Sequence, residues 1–246
     1  MSDRGGAEGG LVWRACPIPA VLGRADHARL HPGDATRAAL IAHPAVRARF
    51  VVARALLRDT VAALRPDLDP ATIEVAVEPS GRPRVAGHDD LHVSVAHTCG
   101  LAVAVAAEEG PVGIDVEPLA RDDLPPTCVW LTAAERGRLG ELQPGERQPW
   151  LLHLWVAKEA VIKASSVGGP VPRAAVEVDV EGGLATGPVT ASLRWHTVDD
   201  RYLVVVATAS SVQVPDVRAR PRRGIGAAPP LAGEETSAHT FPLLPR

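Results

Sequence analysis

Lysine is nearly missing from this 246-residue chain: of 26 basic side chains only two are lysine, Lys158 and Lys163, and the other 24 are arginine. Aromatic residues make up 3%, so the interior must be filled by Val, Leu, Ile and Ala. The three cysteines, Cys16, Cys99 and Cys128, are odd in number and lack metal-ligand spacing. That argues against a disulfide framework or a cysteine-zinc site and for reduced thiols. There is no basic excess, the formal net charge being −3, and general nucleic-acid binding is not expected. No apolar run is long: residues 101–107 and 203–209 fall far short of the roughly 20 residues that a membrane span needs. Residues 1–10 hold no basic segment followed by an apolar one. No signal peptide is therefore expected, and the expected setting is cytoplasmic.

What is present is ordinary for a globular protein: 46% hydrophobic and 22% charged residues, in a length that suits one large domain or two small ones. Residues 11–18 suggest a first strand, and residues 34–42 and 44–64 two helices. In the second helix Phe50, Ala53, Leu57, Val61 and Leu64 form an apolar stripe, with Arg47, Arg49, Arg54 and Arg58 elsewhere around the cylinder. Strands follow at 73–78, 91–97, 101–107 and 112–117, joined by Gly- and Pro-bearing links that suggest consecutive antiparallel pairing. Thr132-Ala-Ala-Glu135 has the form of a capping box and opens a helix to about residue 142. A further helix spans 149–165 and stops near Gly168-Gly169-Pro170. Strands at 174–180, 189–197 and 201–209 complete the pattern.

Each half thus runs helix, helix, strands. This predicts an α+β fold made by internal duplication, with Val52-Ala53-Arg54 and Val156-Ala157-Lys158 as a faint echo between the long helices. The expected divisions are a flexible terminus over 1–10, one half over 11–118, a second over 119–215, and a disordered Pro-, Arg- and Gly-rich tail over 216–246.

Two constellations carry chemistry. In Gly113-Ile114-Asp115-Val116-Glu117, strand alternation puts Asp115 and Glu117 on one face and Ile114 and Val116 on the other. Paired carboxylates suit Mg²⁺, and they equally suit the solvated face of a half-buried strand. In Trp155-Val-Ala-Lys158-Glu159-Ala-Val-Ile-Lys163, helical spacing lines up Trp155, Glu159 and Lys163, with Lys158 about 100° round from Glu159. A surface Glu–Lys pair beside a core tryptophan has the same pattern. Both lysines falling here, in a chain that uses arginine elsewhere, points to a demand for a compact ammonium. His97 ends a strand, and Arg82 and Arg84 flank Pro83 in a turn.

Together these segments resemble the paired signature of the Sfp-type 4′-phosphopantetheinyl transferases. Gly81-Arg82-Pro83, Val93-Ser94-Val95-Ala96-His97-Thr98 and Leu131-Thr132-Ala-Ala-Glu135 fall in the same order as that family's segments, and the likeness spans residues 11–210. The resemblance implies a pseudo-dimer of two α+β halves with the active site in the cleft between them. It implies transfer of phosphopantetheine from coenzyme A to a serine of an apo acyl or peptidyl carrier domain, releasing adenosine 3′,5′-bisphosphate. Asp115, Glu117 and Glu159 would hold Mg²⁺, with Glu159 as the base, directly or through a metal-bound water. Lys158 and Lys163 would offset phosphate charge, and His97 and Thr98 would meet the nucleotide phosphates. Arg82 would lie at the adenine end, and Arg37 and Arg49 at the 3′-phosphate. Departures from the family pattern are Thr98 and Cys99 after His97, and Ser165-Ser-Val-Gly-Gly-Pro170 after the second helix. A monomer serving polyketide, nonribosomal peptide or siderophore assembly is the expectation. The alternatives are a non-catalytic coenzyme A-binding or carrier-docking module and a Mg²⁺-dependent phosphohydrolase.

Overall fold

The computed structural model describes residues 4–165 and 171–210. The 216–246 tail and the Gly168-Gly169-Pro170 stop lie outside these residues. In chain order the elements are β1 (Arg4–Glu8), β2 (Leu11–Pro17), α1 (Arg24–Ala28), α2 (Pro32–Leu40), α3 (Pro44–Leu64), β3 (Val75–Val77), β4 (Pro83–Val85), β5 (His92–Thr98), β6 (Leu101–Ala107), β7 (Val112–Pro118), α4 (Ala133–Glu141), α5 (Pro144–Ala164), β8 (Glu177–Asp179), β9 (Leu184–Thr186), β10 (Ala191–Val198) and β11 (Tyr202–Ala209). Two sheets carry the fold, in the orders β1-β2-β6-β5 and β7-β11-β10-β9-β8, beside a small β3-β4 ladder. All pairings are antiparallel. The fold is mixed α+β, as the sequence pattern predicts.

The sheets stack face to face, and each has one 21-residue helix on its far side. This layering explains why β6 reads Leu-Ala-Val-Ala-Val-Ala-Ala without a polar position. Both faces are covered, so alternation is by size rather than polarity. Leu101, Val103 and Val105 point into the inter-sheet core, while Ala102, Ala104 and Ala106 present a shallow surface to α3. Strand β11 sorts its residues the same way, with Val204 and Val206 between the sheets and Leu203, Val205 and Ala207 toward α5.

Four expectations change. Residues 4–8, expected to be flexible, form β1, paired along β2 from Arg4↔Ala15 to Glu8↔Leu11. Strand β7 does not continue the β5-β6 ladder. It pairs instead with β11, with Asp115 opposite Val205 and Glu117 opposite Leu203. Its alternation requires this: Val112, Ile114 and Val116 fill the inter-sheet core, so Gly113, Asp115 and Glu117 face α5. Arg54 and Arg58, read as outside the apolar stripe of α3, are buried. Arg58 Nε donates to the Ile73 carbonyl at 2.9 Å, and both guanidiniums pair with buried Asp34, tying α2 to α3. Finally, α5 begins at Pro144 rather than Pro149, with Glu146 Oε2 accepting from the Gln143 N–H at 2.9 Å. Pro149 lies inside the helix.

Candidate active site

The site is built where β7 meets α5. Glycine is required at 113 because the two backbones touch: a Cβ there would strike the Ala160 carbonyl oxygen and stand 2.6 Å from the Ala164 nitrogen. Ala157, Ala160 and Ala164 on α5 are fully buried along the same contact. This close approach brings the next outward residue of the strand, Asp115, under the helix. Lys163 Nζ donates to Asp115 Oδ1 at 2.7 Å and to the Ile114 carbonyl at 3.2 Å. One of the two lysines therefore bonds directly to the strand motif.

Asp115 is 7% exposed. Burial pushes its carboxyl above the usual range, Lys163 opposes that, and nearby Glu159 adds to it by repulsion. Glu117 is also raised, first by burial and further by Asp115, against the pull of Arg121. Thr98 Oγ1 donates to Glu117 Oε2 at 3.4 Å, so the end of β5 reaches the same place. His97 keeps solvent access. Its pKa is lowered by partial enclosure and then by the positive charges of Arg49 and Lys163, which places three expected phosphate contacts within electrostatic range of one another. Arg82 donates to the Ser165 carbonyl at the end of α5, bringing the β3-β4 turn to the same end of the helix. Arg37 is solvent-exposed on α2, its guanidinium 5.8 Å from the Phe50 ring centroid.

Lys158 requires a correction. It is 0% exposed, and its ammonium donates to Glu135 Oε2 at 2.6 Å and to the Trp130, Arg173 and Val176 carbonyls at 3.1, 3.0 and 2.7 Å. Burial lowers its pKa while Glu135 raises it. With its donors turned toward these acceptors, it has none to offer a phosphate. Glu135, read as a cap, does cap: it accepts from the Thr132 N–H at 2.9 Å. It also accepts from the Val178 N–H at 3.1 Å and so anchors the lysine, joining α4, α5 and β8.

Sequence reasoning missed two arginines. Arg121 pairs with Glu117 and Arg173 with Glu159, and their guanidinium carbons lie 5.6 and 4.9 Å from the Trp155 ring centroid. The four-residue spacing of Glu117 and Arg121 was a visible signal for the first pair. Arg173 carried none. Among the described residues no group of three or more His, Cys, Asp or Glu side chains stands close enough to hold a metal ion. Asp115, Glu117 and Glu159 are each held by a cation instead. Carboxylate oxygens are nonetheless the donor type a hard divalent ion takes, and the charge of Glu159 is felt at Asp115 and that of Asp115 at Glu117.

Fold and site together define a mixed α+β protein whose second sheet carries an acidic strand clasped by a helix lysine. The family model of the 4′-phosphopantetheinyl transferase superfamily matches residues 111–205, the segment from β7 into β11. A 4′-phosphopantetheinyl transferase of Bacillus subtilis is 26% identical over 167 residues, which is 65% of this chain and 74% of that protein. The 4′-phosphopantetheinyl transferase psf-1 of Bacillus pumilus is 37% identical over 92 residues, 37% of this chain and 39% of its own. The 4′-phosphopantetheinyl transferase Sfp of Bacillus subtilis (strain 168) is 28% identical over 105 residues, 43% and 46% of the two chains. The chain thus spans less than half of the latter two relatives. The resemblance to the Sfp-type enzymes is borne out, and with it the enzyme class. Among the described residues no helix is long and apolar enough to cross a membrane.

Proposed function

We propose that this protein transfers 4′-phosphopantetheine from coenzyme A to a serine of an apo acyl or peptidyl carrier domain, with Mg²⁺ as cofactor. The observation that carries the reading is the bond from Lys163 to Asp115, with Glu159 one helical turn before Lys163 and Glu117 two residues after Asp115. Such a set supplies acid, base and positive charge at one point, as displacement at a pyrophosphate requires. Binding residues from both halves surround it: Arg49, His97 and Arg82 from the first, and Lys163 and Glu159 from the second. That supports a substrate cleft between two α+β halves related by duplication. Arg37, exposed on α2, would meet the 3′-phosphate.

Asp115, Glu117 and Glu159 would hold the Mg²⁺, which supplies Lewis acidity and charge neutralisation at the pyrophosphate. Lys163 opposes the upward push of burial on the Asp115 carboxyl and offsets charge on the departing phosphate. Glu159 takes the proton from the carrier serine as its oxygen bonds to the phosphorus on the pantetheine side. The bond from that phosphorus to the bridging oxygen breaks, and adenosine 3′,5′-bisphosphate leaves with the electron pair. His97, Thr98 and Arg49 orient the nucleotide. The protein acts as a monomer in the cytoplasm, on carriers of polyketide, nonribosomal peptide or siderophore assembly.

The test is to incubate protein, coenzyme A, Mg²⁺ and an apo carrier, then weigh the carrier. A gain of one phosphopantetheine group is expected, and Glu159→Gln, with circular dichroism unchanged, is expected to abolish it. Coenzyme A consumed without carrier gain identifies a phosphohydrolase. Coenzyme A bound without any turnover identifies a binding module.

A further inference from the structure

Three cations occupy the three carboxylates, but they are not alike. Lys163 bonds to the strand backbone as well as to Asp115, so it belongs to the framework of the site. Arg121 and Arg173 instead reach Glu117 and Glu159 from outside β7 and α5. Arg121 lies beyond the end of β7, and Arg173 sits in a short 3₁₀ turn, Arg173–Ala175. Both are anchored on one aromatic platform, Trp155, which Trp130 braces edge-on at 5.4 Å between ring centroids. Trp155 precedes Glu159 by one helical turn, so the platform and the carboxylate it serves share a side of α5. Arg121 is steadied further by Asp123, its Nε donating to Asp123 Oδ1 at 2.9 Å, and its backbone carbonyl accepts from Gln148 Nε2 at 2.7 Å. The Arg173 carbonyl is held by the buried Lys158 ammonium. Two guanidiniums are thus fixed at backbone and ring, each with its charged end on one expected metal ligand.

We propose that Arg121 and Arg173 are positioning residues that compete with the divalent cation for Glu117 and Glu159, with Trp155 as the platform on which they rest. They neutralise the two carboxylates before substrate arrives and keep them near Asp115 despite mutual repulsion. Loading the site requires each guanidinium to release its carboxylate while staying on the indole ring, where it remains near the incoming pyrophosphate. This rests on the assignment of these carboxylates as metal ligands in the proposed transferase. It adds that metal affinity in the free protein is held down by two specific side chains.

The experiment uses the full chain without coenzyme A and Mn²⁺ as the probe, free Mn²⁺ being followed by electron paramagnetic resonance. Arg173→Gln removes a side chain that is 41% exposed and is expected to tighten Mn²⁺ binding about fivefold, or about 1 kcal/mol at 1.4 kcal/mol per tenfold, the upper end for a solvent-accessible ion pair. Adding Arg121→Gln is expected to bring the gain to roughly twentyfold if the pairs act independently. If the double variant does not fold, the single variant decides. Arg194→Gln, which releases an ion pair to Glu8, is the control and is expected to leave Mn²⁺ affinity unchanged. Affinity that stays the same or weakens in Arg173→Gln overturns the proposal, as does Mn²⁺ binding too weak to measure in every variant. Adding Glu159→Gln to Arg173→Gln is expected to cancel the gain. A gain that survives shows that the ligands were misassigned and overturns the proposal on that ground. The transferase reading stands or falls separately, on the carrier mass.

Discussion

Replacing Lys158 with methionine keeps most of the side chain's length and removes its charge and donors. In the folded protein this strands Glu135 as a buried carboxylate, 2% exposed, and leaves the carbonyls of Trp130, Arg173 and Val176 without their ammonium donor. Breaking one side of a buried ion pair costs about 3–5 kcal/mol, a large part of the roughly 5–15 kcal/mol that holds most domains folded. At about 2–4 °C per kcal/mol for a protein of this size, the melting temperature falls by roughly 6–20 °C. Arginine at 158 is expected to be costly as well, because the pocket closes around a compact ammonium and the guanidinium is larger. This explains why a chain otherwise committed to arginine retains lysine here. The assay is urea denaturation of the two variants beside Glu135→Gln and the double substitution, which gives the coupling energy directly. A Lys158→Met protein with native stability but weakened coenzyme A binding would refute the structural role and restore the phosphate contact that the sequence suggested.

Gly113→Ala pushes a methyl group into the backbone of α5 and is expected to cost about 1–3 kcal/mol. It is also expected to lower carrier modification more than stability, since Asp115 and Lys163 move apart; full activity would show the contact to be loose. His97 is lowered below its usual 6.5 by partial enclosure, Arg49 and Lys163. Between that lowered value and 6.5 the unfolded chain binds more protons, so the contribution of His97 to stability rises with pH through that window and is lost as pH falls. A bound phosphate restores the proton. Adenosine 3′,5′-bisphosphate is therefore expected to bind with proton uptake at about pH 6, seen as a calorimetric enthalpy that changes with buffer. His97→Gln is expected to erase that dependence, and a buffer-independent enthalpy in the unaltered protein would count against phosphate contact.

The acidic strand was legible because alternation has only two faces. Once Ile114 and Val116 are assigned to a core, Asp115 and Glu117 must share the other face. The helix spacing of Trp155, Glu159 and Lys163 was legible for the same kind of reason. Lys158 was not, because an angle of about 100° around a helix says where a side chain points and nothing of what covers it. Here α4 and β8 close over it. Arg54 and Arg58 were misplaced because a guanidinium on an apolar helix looks solvated until a buried Asp34, twenty or more residues earlier, is seen to meet it. Pro149 misled because proline suits a helix start, yet Pro144, with Glu146 capping Gln143, carries the same signal five residues earlier and marks the true start. The partner of β7 was hidden most deeply. Turn residues after β6 suggest a hairpin, whereas β7 takes its place beside β11, with Val112, Ile114 and Val116 in the inter-sheet core and Gly113 against α5.

The hydrogen-bonded neighbour of the Asp115 strand is β11, the last strand described. A nascent polypeptide leaving the ribosome therefore holds both motifs well before it holds the strand that seats them. Until residues 202–209 emerge, β7 lacks its ladder partner and presents an open edge, a species exposed to chaperones and to self-association. Assembly of the candidate site thus waits on a strand made well after its own motifs, and removing β11 is expected to disturb residues almost ninety positions upstream.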